Sequence, residues 1–182
     1  MLFPTRGLKT PLCNVRRWAE SDIRALPALA NDARVAEYMT LRFPSPYSDD
    51  DAAAWVALQR VREEPTHFAI DVEGVLAGGI SLEPGADIHR GSAEVGYWLG
   101  SSFWGRGVAT AALRALTEHT LATSSLHRLW AGVMKPNARS ARVLERAGYR
   151  REAVLESAAT TRSGIVVDEV VYARLRPAAR PP

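Results

Sequence analysis

Between Trp98 and Thr110 the chain reads WLGSSFWGRGVAT, and the residue types here could do chemistry. A strand-like run ends, a short loop follows, and a helical run opens at Gly105-Arg106-Gly107. The two glycines let the backbone bend and approach a ligand closely. The first-turn N–H groups of a helix have no internal partner. With the helix dipole they make an anion site suited to a pyrophosphate. Arg106 adds a side-chain cation. A nucleotide P-loop would need Gly-Lys-Ser/Thr, but Gly107 is followed by Val108 and Ala109. A dinucleotide fingerprint would need a glycine where Thr110 stands and an acid about twenty residues on, where the chain reads Arg128-Leu129-Trp130. Two readings remain: a loop for the pyrophosphate of coenzyme A, or a plain tight strand-to-helix turn.

The elements that must position this loop follow from periodicity and punctuation. A first strand is predicted over Leu12–Trp18. Ser21 starts a helix with Ile23, Leu26 and Ala30 on one face. RFPSPY (42–47) is a proline-fixed loop. Ser48 followed by Asp49, Asp50 and Asp51 is a helix start, with a capping hydroxyl and acids at the positive end of the dipole. That helix is expected to stop near Glu64-Pro65. His67–Asp71 and Val75–Leu82 read as strands of a hairpin turning at Glu73-Gly74. Ala93–Leu99 is a strand, Gly107 to about Leu121 a helix, and Arg128–Met134 a buried strand. Asn137 caps a helix closed by Gly148. Strands near Arg150–Ala159 and Ile165–Leu175 complete an α/β chain. Its central strand–helix–strand crossover makes two strands parallel, and the flanking hairpins make the sheet mixed.

The 182 residues suit one domain, with 47% hydrophobic and 24% charged residues. No repeat or linker divides them, so 1–182 is expected to be a single domain with its core over about 11–176. The first ten residues and the terminal RPAARPP are expected to be loose. A lone cysteine, Cys13, excludes an internal disulfide framework and fits a reducing compartment. No apolar run can span a bilayer, and MLFPTRGLKT lacks the apolar core of a signal peptide. The chain therefore reads as cytoplasmic. Net charge is +3, and all but two of the basic residues are arginine. That is either a solvated arginine-rich surface or an attraction for an anionic ligand. No basic block demands a nucleic-acid partner. His67, His89, His119 and His127 show no metal spacing, so no metal is expected.

The stretch AEVGYWLGSSFWGRGVATAAL (93–113) resembles the acetyl-CoA motif of the GNAT N-acyltransferase superfamily, Gln/Arg-x-x-Gly-x-Gly/Ala. Trp104 to Ala109 fit it, except that Trp104 replaces the leading Gln/Arg. That replacement, with the preceding GYW, resembles the RimJ/RimL-like branch, whose named members acetylate ribosomal-protein N-termini. NARSARVLERAGYRRE (137–152) resembles a second motif of that branch, and RRWAESDI, RFPSPY and VVDEVVYARL extend the likeness over nearly the whole chain. The resemblance implies a mixed, mostly antiparallel sheet flanked by helices, with two central parallel strands that splay apart. It also implies acetyl-CoA as cosubstrate in the splay. The pantetheine arm would pair with the strand end at Trp98 and Leu99. The pyrophosphate would sit on the loop from Trp104 through Gly105, Arg106, Gly107, Val108 and Ala109 to Thr110. Members of the branch often form homodimers, which the hydrophobic content permits.

The implied reaction is attack of an amine on a thioester, the acceptor being a protein N-terminus or a small-molecule amine. A free alkyl amine is mostly protonated near pH 7, so a base is needed. Glu94 is the candidate. Strand alternation puts it on one face with Gly96 and Trp98. The bland alternative is a structural ion pair with an arginine. A backbone N–H near Trp98 or Leu99 would bind the thioester oxygen. Many superfamily members carry a tyrosine seven residues after the helix-opening Asn; here that position is Leu144. Ser140, in the first helical turn, is the substitute for stabilising the thiolate, unless its hydroxyl only caps the turn. Asn137 holds the pantetheine arm or caps the helix. A non-catalytic acyl-CoA-binding module of the same fold is the rival reading. Cys13, Trp18, Trp55 and Trp130 are expected to be structural or core residues. Phe43 and Tyr47 are expected to anchor the proline loop rather than act as a lid.

Overall fold

The computed structural model describes residue 4 and residues 7–177. Eight strands form one sheet: β1 (Leu8–Lys9), β2 (Asn14–Arg16), β3 (His67–Val72), β4 (Val75–Pro84), β5 (Ser92–Leu99), β6 (Arg128–Met134), β7 (Arg150–Thr160) and β8 (Val166–Leu175). Their order is β1-β2-β3-β4-β5-β6-β8-β7. Every neighbouring pair is antiparallel except β5 and β6, which are parallel. Helices α1 (Leu26–Ala30), α2 (Ala33–Ala36) and α3 (Asp49–Arg60) precede β3. Helix α4 (Val108–Thr123) forms the β5–β6 crossover, and α5 (Ala138–Arg146) follows β6.

The sheet separates two apolar clusters. Leu113, Leu116, Leu129, Leu144, Val95 and Leu99 are among the residues of the larger one, between the sheet and α4 with α5. Trp18, Leu26, Tyr47, Val56 and Ala69 lie in the smaller one, against α1 and α3. The expected elements are present with four differences. Only Asn14–Arg16 of the first strand pairs with β3, while Leu8–Lys9, expected to be loose, forms the edge strand β1. The Thr10 hydroxyl fixes that turn by accepting from the N–H groups of Leu12 and Cys13. The helix expected from Ser21 is broken into a 3-10 turn (Glu20–Asp22) and α1, because Pro27 lacks the N–H that a continuous helix would use. Helix α3 ends at Arg60, earlier than expected, since 61–64 are all exposed and have no face to bury. At the C-terminal end, Arg176 donates from its backbone N–H to the His127 carbonyl and from its side chain to Ser124 and Leu126 carbonyls. The remaining expected loose ends, 1–3, 5–6 and 178–182, lie outside the described residues.

Local chemistry explains the rest. Ser48 Oγ accepts from the Asp51 N–H (3.1 Å) and the Asp51 carboxylate accepts from the Ser48 N–H (2.9 Å), a reciprocal cap on α3. The β3–β4 hairpin turns at Glu73 and Gly74, both at positive φ. Strands β4 and β5 meet unusually closely at Gly78. A β-carbon there would lie 2.1 Å from the Trp98 carbonyl oxygen and 2.8 Å from Leu99 Cα. Gly78→Ala is therefore expected to lower folding stability by about 2 kcal/mol or more, from backbone displacement in a packed core. Denaturant unfolding of wild type and variant checks this.

Candidate active site

Strands β5 and β6 stay paired for only three residues: Ser92 with Arg128, Ala93 with Leu129, and Glu94 with Trp130. Beyond Glu94 they diverge. The far edge of β5 remains paired to β4 up to Leu99, and the far edge of β6 remains paired to β8 up to Met134. A wedge-shaped gap thus opens between two strands that are each held from behind. In an extended strand the backbone groups alternate sides. The Ser92 carbonyl accepts from Gly85 N–H and the Trp98 carbonyl faces Gly78, so even-numbered residues turn to β4. The Val95 carbonyl, both backbone groups of Tyr97 and the Leu99 N–H therefore face the gap, while the Leu99 carbonyl accepts from the Trp104 indole. Of the two residues expected to pair with a pantetheine arm, Leu99 faces the gap and Trp98 faces the other way.

The helices that follow the two strands both begin at the wide end of this gap. Gly107 stands at the N-cap of α4 with φ +79°, and no side chain caps the helix. Gly105 also has positive φ, at +75°, with open space on its β-carbon side. Gly105, Arg106 and Gly107 are exposed, Ala109 and Thr110 half-buried, and Val108 is buried beneath them. Trp104 does not turn toward the loop's open side. Its indole N–H donates to the Leu99 carbonyl (2.8 Å), tying the loop to the end of β5. The Arg139 guanidinium, from the start of α5, stacks 4.6 Å from the Trp104 ring centroid, and that of Arg34 lies 5.6 Å from it. Arg106 lies against Phe103. Arginines and two helix N-termini therefore surround the wide end with positive potential.

At α5, Asn137 Oδ1 accepts from the Ser140 N–H at 3.2 Å and is the side-chain cap of the helix. The Ser140 hydroxyl is directed elsewhere: it lies 2.8 Å from the Tyr97 hydroxyl, which crosses from β5. The capping alternative for Ser140 thus falls to Asn137. Cys13, distant in sequence from the loop, is packed beneath it. Its buried thiol faces the Val108 carbonyl (3.8 Å), and burial pushes the thiol pKa up.

Glu94 lies on the opposite face of the sheet and is exposed. Among the described residues no cation pairs with it, so the arginine ion pair that was the alternative to a base is absent. Its neighbours are carboxylates: Glu83 directly across on β4, and Glu169 on β8, whose side chain lies over Gly132. Partial loss of hydration against the sheet raises the Glu94 pKa, and the charges of Glu169 and Glu83 raise it further. His67 reaches Glu83 at 3.1 Å. Trp130, expected in the core, is half-buried and belongs to neither apolar cluster; it stands on this face beside Glu94.

The same face is walled by a loop around Phe43 and Tyr47. Tyr47 is buried and anchored by Asn31, whose side chain bonds both its N–H and its carbonyl at 2.7 Å. Phe43 packs edge-on to Trp98 at 5.3 Å. Arg162, from the β7–β8 turn, donates to the carbonyls of Ala36 (3.2 Å), Thr40 (3.1 Å) and Phe43 (2.7 Å). One guanidinium thereby binds the loop to the far end of the sheet. Glu83, Glu169 and Arg162 were not found from sequence. Their partners are long-range, and only the alternation of VVDEVVYARL could have placed Glu169 on this face.

Residues 13–150 match the family model described as Acetyltransferase (GNAT) domain. The chain belongs to the GNAT acetyltransferase family. Among curated GNAT relatives, the probable N-acetyltransferase YjcK of Bacillus subtilis strain 168 is 34% identical over 121 residues, 64% of this chain and 65% of YjcK. The chain thus spans slightly less than two thirds of YjcK's length. The uncharacterized N-acetyltransferase p20 of Bacillus licheniformis is 25% identical over 178 residues, 93% and 96% of the two chains. RimL, a ribosomal alpha-N-protein acetyltransferase solved in complex with coenzyme A, has the same fold at TM-score 0.81 and 23% identity, covering 97% of this chain and 99% of its own. RimJ of Mycobacterium smegmatis superposes at TM-score 0.78 with 24% identity, covering 93% and 85%. The expected GNAT fold, mixed and mostly antiparallel with one splayed parallel pair, is the fold observed. Among the described residues no helix is long and apolar enough to cross a membrane.

The carboxylate trio makes a direct prediction. Glu169→Gln removes a negative charge near Glu94, so the Glu94 titration moves to lower pH. Carboxyl-carbon NMR titration of wild type and variant measures that displacement, and Glu83→Gln is expected to move it the same way by less.

Proposed function

We propose that the chain is an acetyl-CoA-dependent N-acetyltransferase that transfers acetyl to a primary amine by direct attack on the thioester. The observation that carries this reading is the wedge between β5 and β6. One wall has the Val95 carbonyl, both backbone groups of Tyr97 and the Leu99 N–H turned to the gap without a partner among the described residues, and the wide end has the start of α4, which no described side chain caps. An extended pantetheine arm fits such a wall as an added strand. A pyrophosphate fits the first-turn N–H groups of 108–110, with Arg106 alongside. Relatives solved with coenzyme A or acetyl-CoA support the same cosubstrate.

Acceptor and coenzyme enter from opposite faces and meet in the gap. Glu94, with a raised pKa and no cationic partner among the described residues, takes the proton that the amine must lose. A gap-facing backbone N–H of β5 stabilises the thioester oxygen as it gains charge. The C–S bond breaks with its electron pair on sulfur, and the Ser140 hydroxyl donates a hydrogen bond to the thiolate. The acceptor is a protein N-terminus or a small-molecule amine. Curated relatives include a ribosomal-protein-serine acetyltransferase and a spermidine N(1)-acetyltransferase, both of Escherichia coli K12. The carboxylates of Glu83, Glu94 and Glu169 favour an acceptor that carries positive charge.

Thiol release from acetyl-CoA, measured over a panel of amines and N-terminal peptides, tests the proposal. Wild type is expected to turn over with an acceptor. Glu94→Gln is expected to lower kcat by about 100-fold or more while coenzyme affinity persists. Ser140→Ala is expected to cost about tenfold. Coenzyme binding with no acceptor-dependent release across the panel would favour a non-catalytic acyl-CoA-binding module. Absence of coenzyme binding would overturn the reading of 104–110. In the same assay Arg162→Ala, which frees the Phe43 loop, is expected to raise the acceptor KM several-fold and leave the acetyl-CoA KM unchanged, since a charged hydrogen bond contributes about 1.5–3 kcal/mol.

A further inference from the structure

Tyr97 has two roles written into its position. Its backbone faces the gap, and its side chain leaves the other way, across to the first turn of α5. There the phenol oxygen lies 2.8 Å from Ser140 Oγ and 2.9 Å from the Ser140 carbonyl oxygen. The phenol has one proton to give and the serine hydroxyl has one. If the phenol donates to the carbonyl, the serine proton is used up on the phenol oxygen. If the phenol donates to Ser140 Oγ, the serine proton is left to point at a third atom. The Ser140 N–H is already held by Asn137, so the backbone of this turn is fixed on both sides.

We propose that Tyr97 is a positioning residue for the leaving group: without a sulfur beside it the phenol donates to the Ser140 carbonyl and accepts from the Ser140 hydroxyl, and when the coenzyme sulfur enters the gap the phenol turns its proton to Ser140 Oγ and frees the serine proton for the sulfur. The inference rests on the acetyltransferase reading and on Ser140 as the group beside that sulfur. It also accounts for Leu144. The tyrosine that the family resemblance places on α5 is absent, and a phenol from β5 reaches the same turn through a serine.

Tyr97 is not itself the acid. Burial, with the neighbouring Tyr149 and Tyr172, holds its phenol well above the ordinary tyrosine pKa, against the lowering effect of Ser140. Forming a tyrosinate here is therefore disfavoured. No proton needs to leave it. An ordinary thiol has a pKa near 8.5, so the departing thiolate requires a hydrogen bond rather than a full proton transfer. In the balanced step the amine nitrogen bonds to the acetyl carbon and the C–S bond breaks with both electrons on sulfur. The amine proton passes to Glu94 and on to solvent. Ser140 and Tyr97 both keep their protons.

The test is a double-mutant cycle of Tyr97→Phe and Ser140→Ala. Tyr97→Phe keeps the ring and removes only the hydroxyl. It is expected to lower kcat about tenfold with the acetyl-CoA KM unchanged, and to have no further effect in the Ser140→Ala background. Calorimetry supplies a readout independent of turnover: the preference for coenzyme A over desulfo-coenzyme A should fall in either single variant and no further in the double. Equal losses from Tyr97→Phe in both backgrounds, or unchanged kcat and unchanged preference in the single variant, would overturn the inference. Wild-type thiol release in the same experiment keeps the acetyl-transfer reading separate. If wild type turns over and Tyr97→Phe matches it, only the role of Tyr97 is lost.

Discussion

Strands β5 and β6 abandon each other after three residues, and nearly everything at the site depends on that. Two strands cannot diverge in a protein core without leaving backbone donors and acceptors unpaired, which is costly away from water. Here each strand is retained by its outer neighbour, β4 for β5 and β8 for β6, so the divergence does not unravel the sheet. The close contact of Gly78 with the Trp98 carbonyl is part of that retention. The inner edge of β5 is then a strand waiting for a partner, with the Val95 carbonyl, the Tyr97 N–H and carbonyl and the Leu99 N–H fixed in direction before any ligand arrives. Preorganised backbone donors have no reorganisation left to undergo when charge develops beside them.

The same divergence gives the gap its polarity. Each diverging strand runs into a helix, so two helix N-termini open at the wide end, where Arg106, Arg139 and Arg34 also gather around Phe103 and Trp104. On the opposite face Glu83, Glu94 and Glu169 form a strip of carboxylates. A net charge of only +3 conceals this separation of sign. An anionic cosubstrate and a cationic acceptor would each be drawn to a different entrance and repelled from the other's. The strip also has a chemical consequence, because like charges and partial loss of hydration make Glu94 a stronger base than an isolated exposed carboxylate.

The sequence made the elements legible where local chemistry decides them. Ser48 with Asp51, Asn137 with the Ser140 N–H, Glu73-Gly74 and Gly107 each act within a few residues of themselves, and each boundary lies close to its expected place. Elements decided by distant partners were harder to read. Leu8–Lys9 becomes a strand only because β2 lies beside it. Trp130 looks like a core residue from its strand, but the larger core cluster is on the other face and the smaller one does not reach it. Arg162 is one arginine among many in the sequence, and its importance comes from three carbonyls more than a hundred residues away. The resemblance to the GNAT superfamily named the region of the site. It could not show which face each side chain takes.

On the proposed mechanism, position 144 would illustrate how a site keeps a function while moving the group that performs it. Leu144 is fully buried and belongs to the core between α5 and the sheet, so a polar hydroxyl there would need its own partner. The chain instead brings its hydroxyls to the first turn of α5, one from Ser140 and one from Tyr97. Dividing the task has a physical advantage. The serine is small enough to stand beside a sulfur without filling the gap. The tyrosine hydroxyl contacts the serine hydroxyl while its ring packs against the core that Leu144 also fills. On that mechanism the helix start that Asn137 caps would support both cosubstrate and leaving group, and its position is set by the end of β6, one of the two strands whose divergence opened the gap.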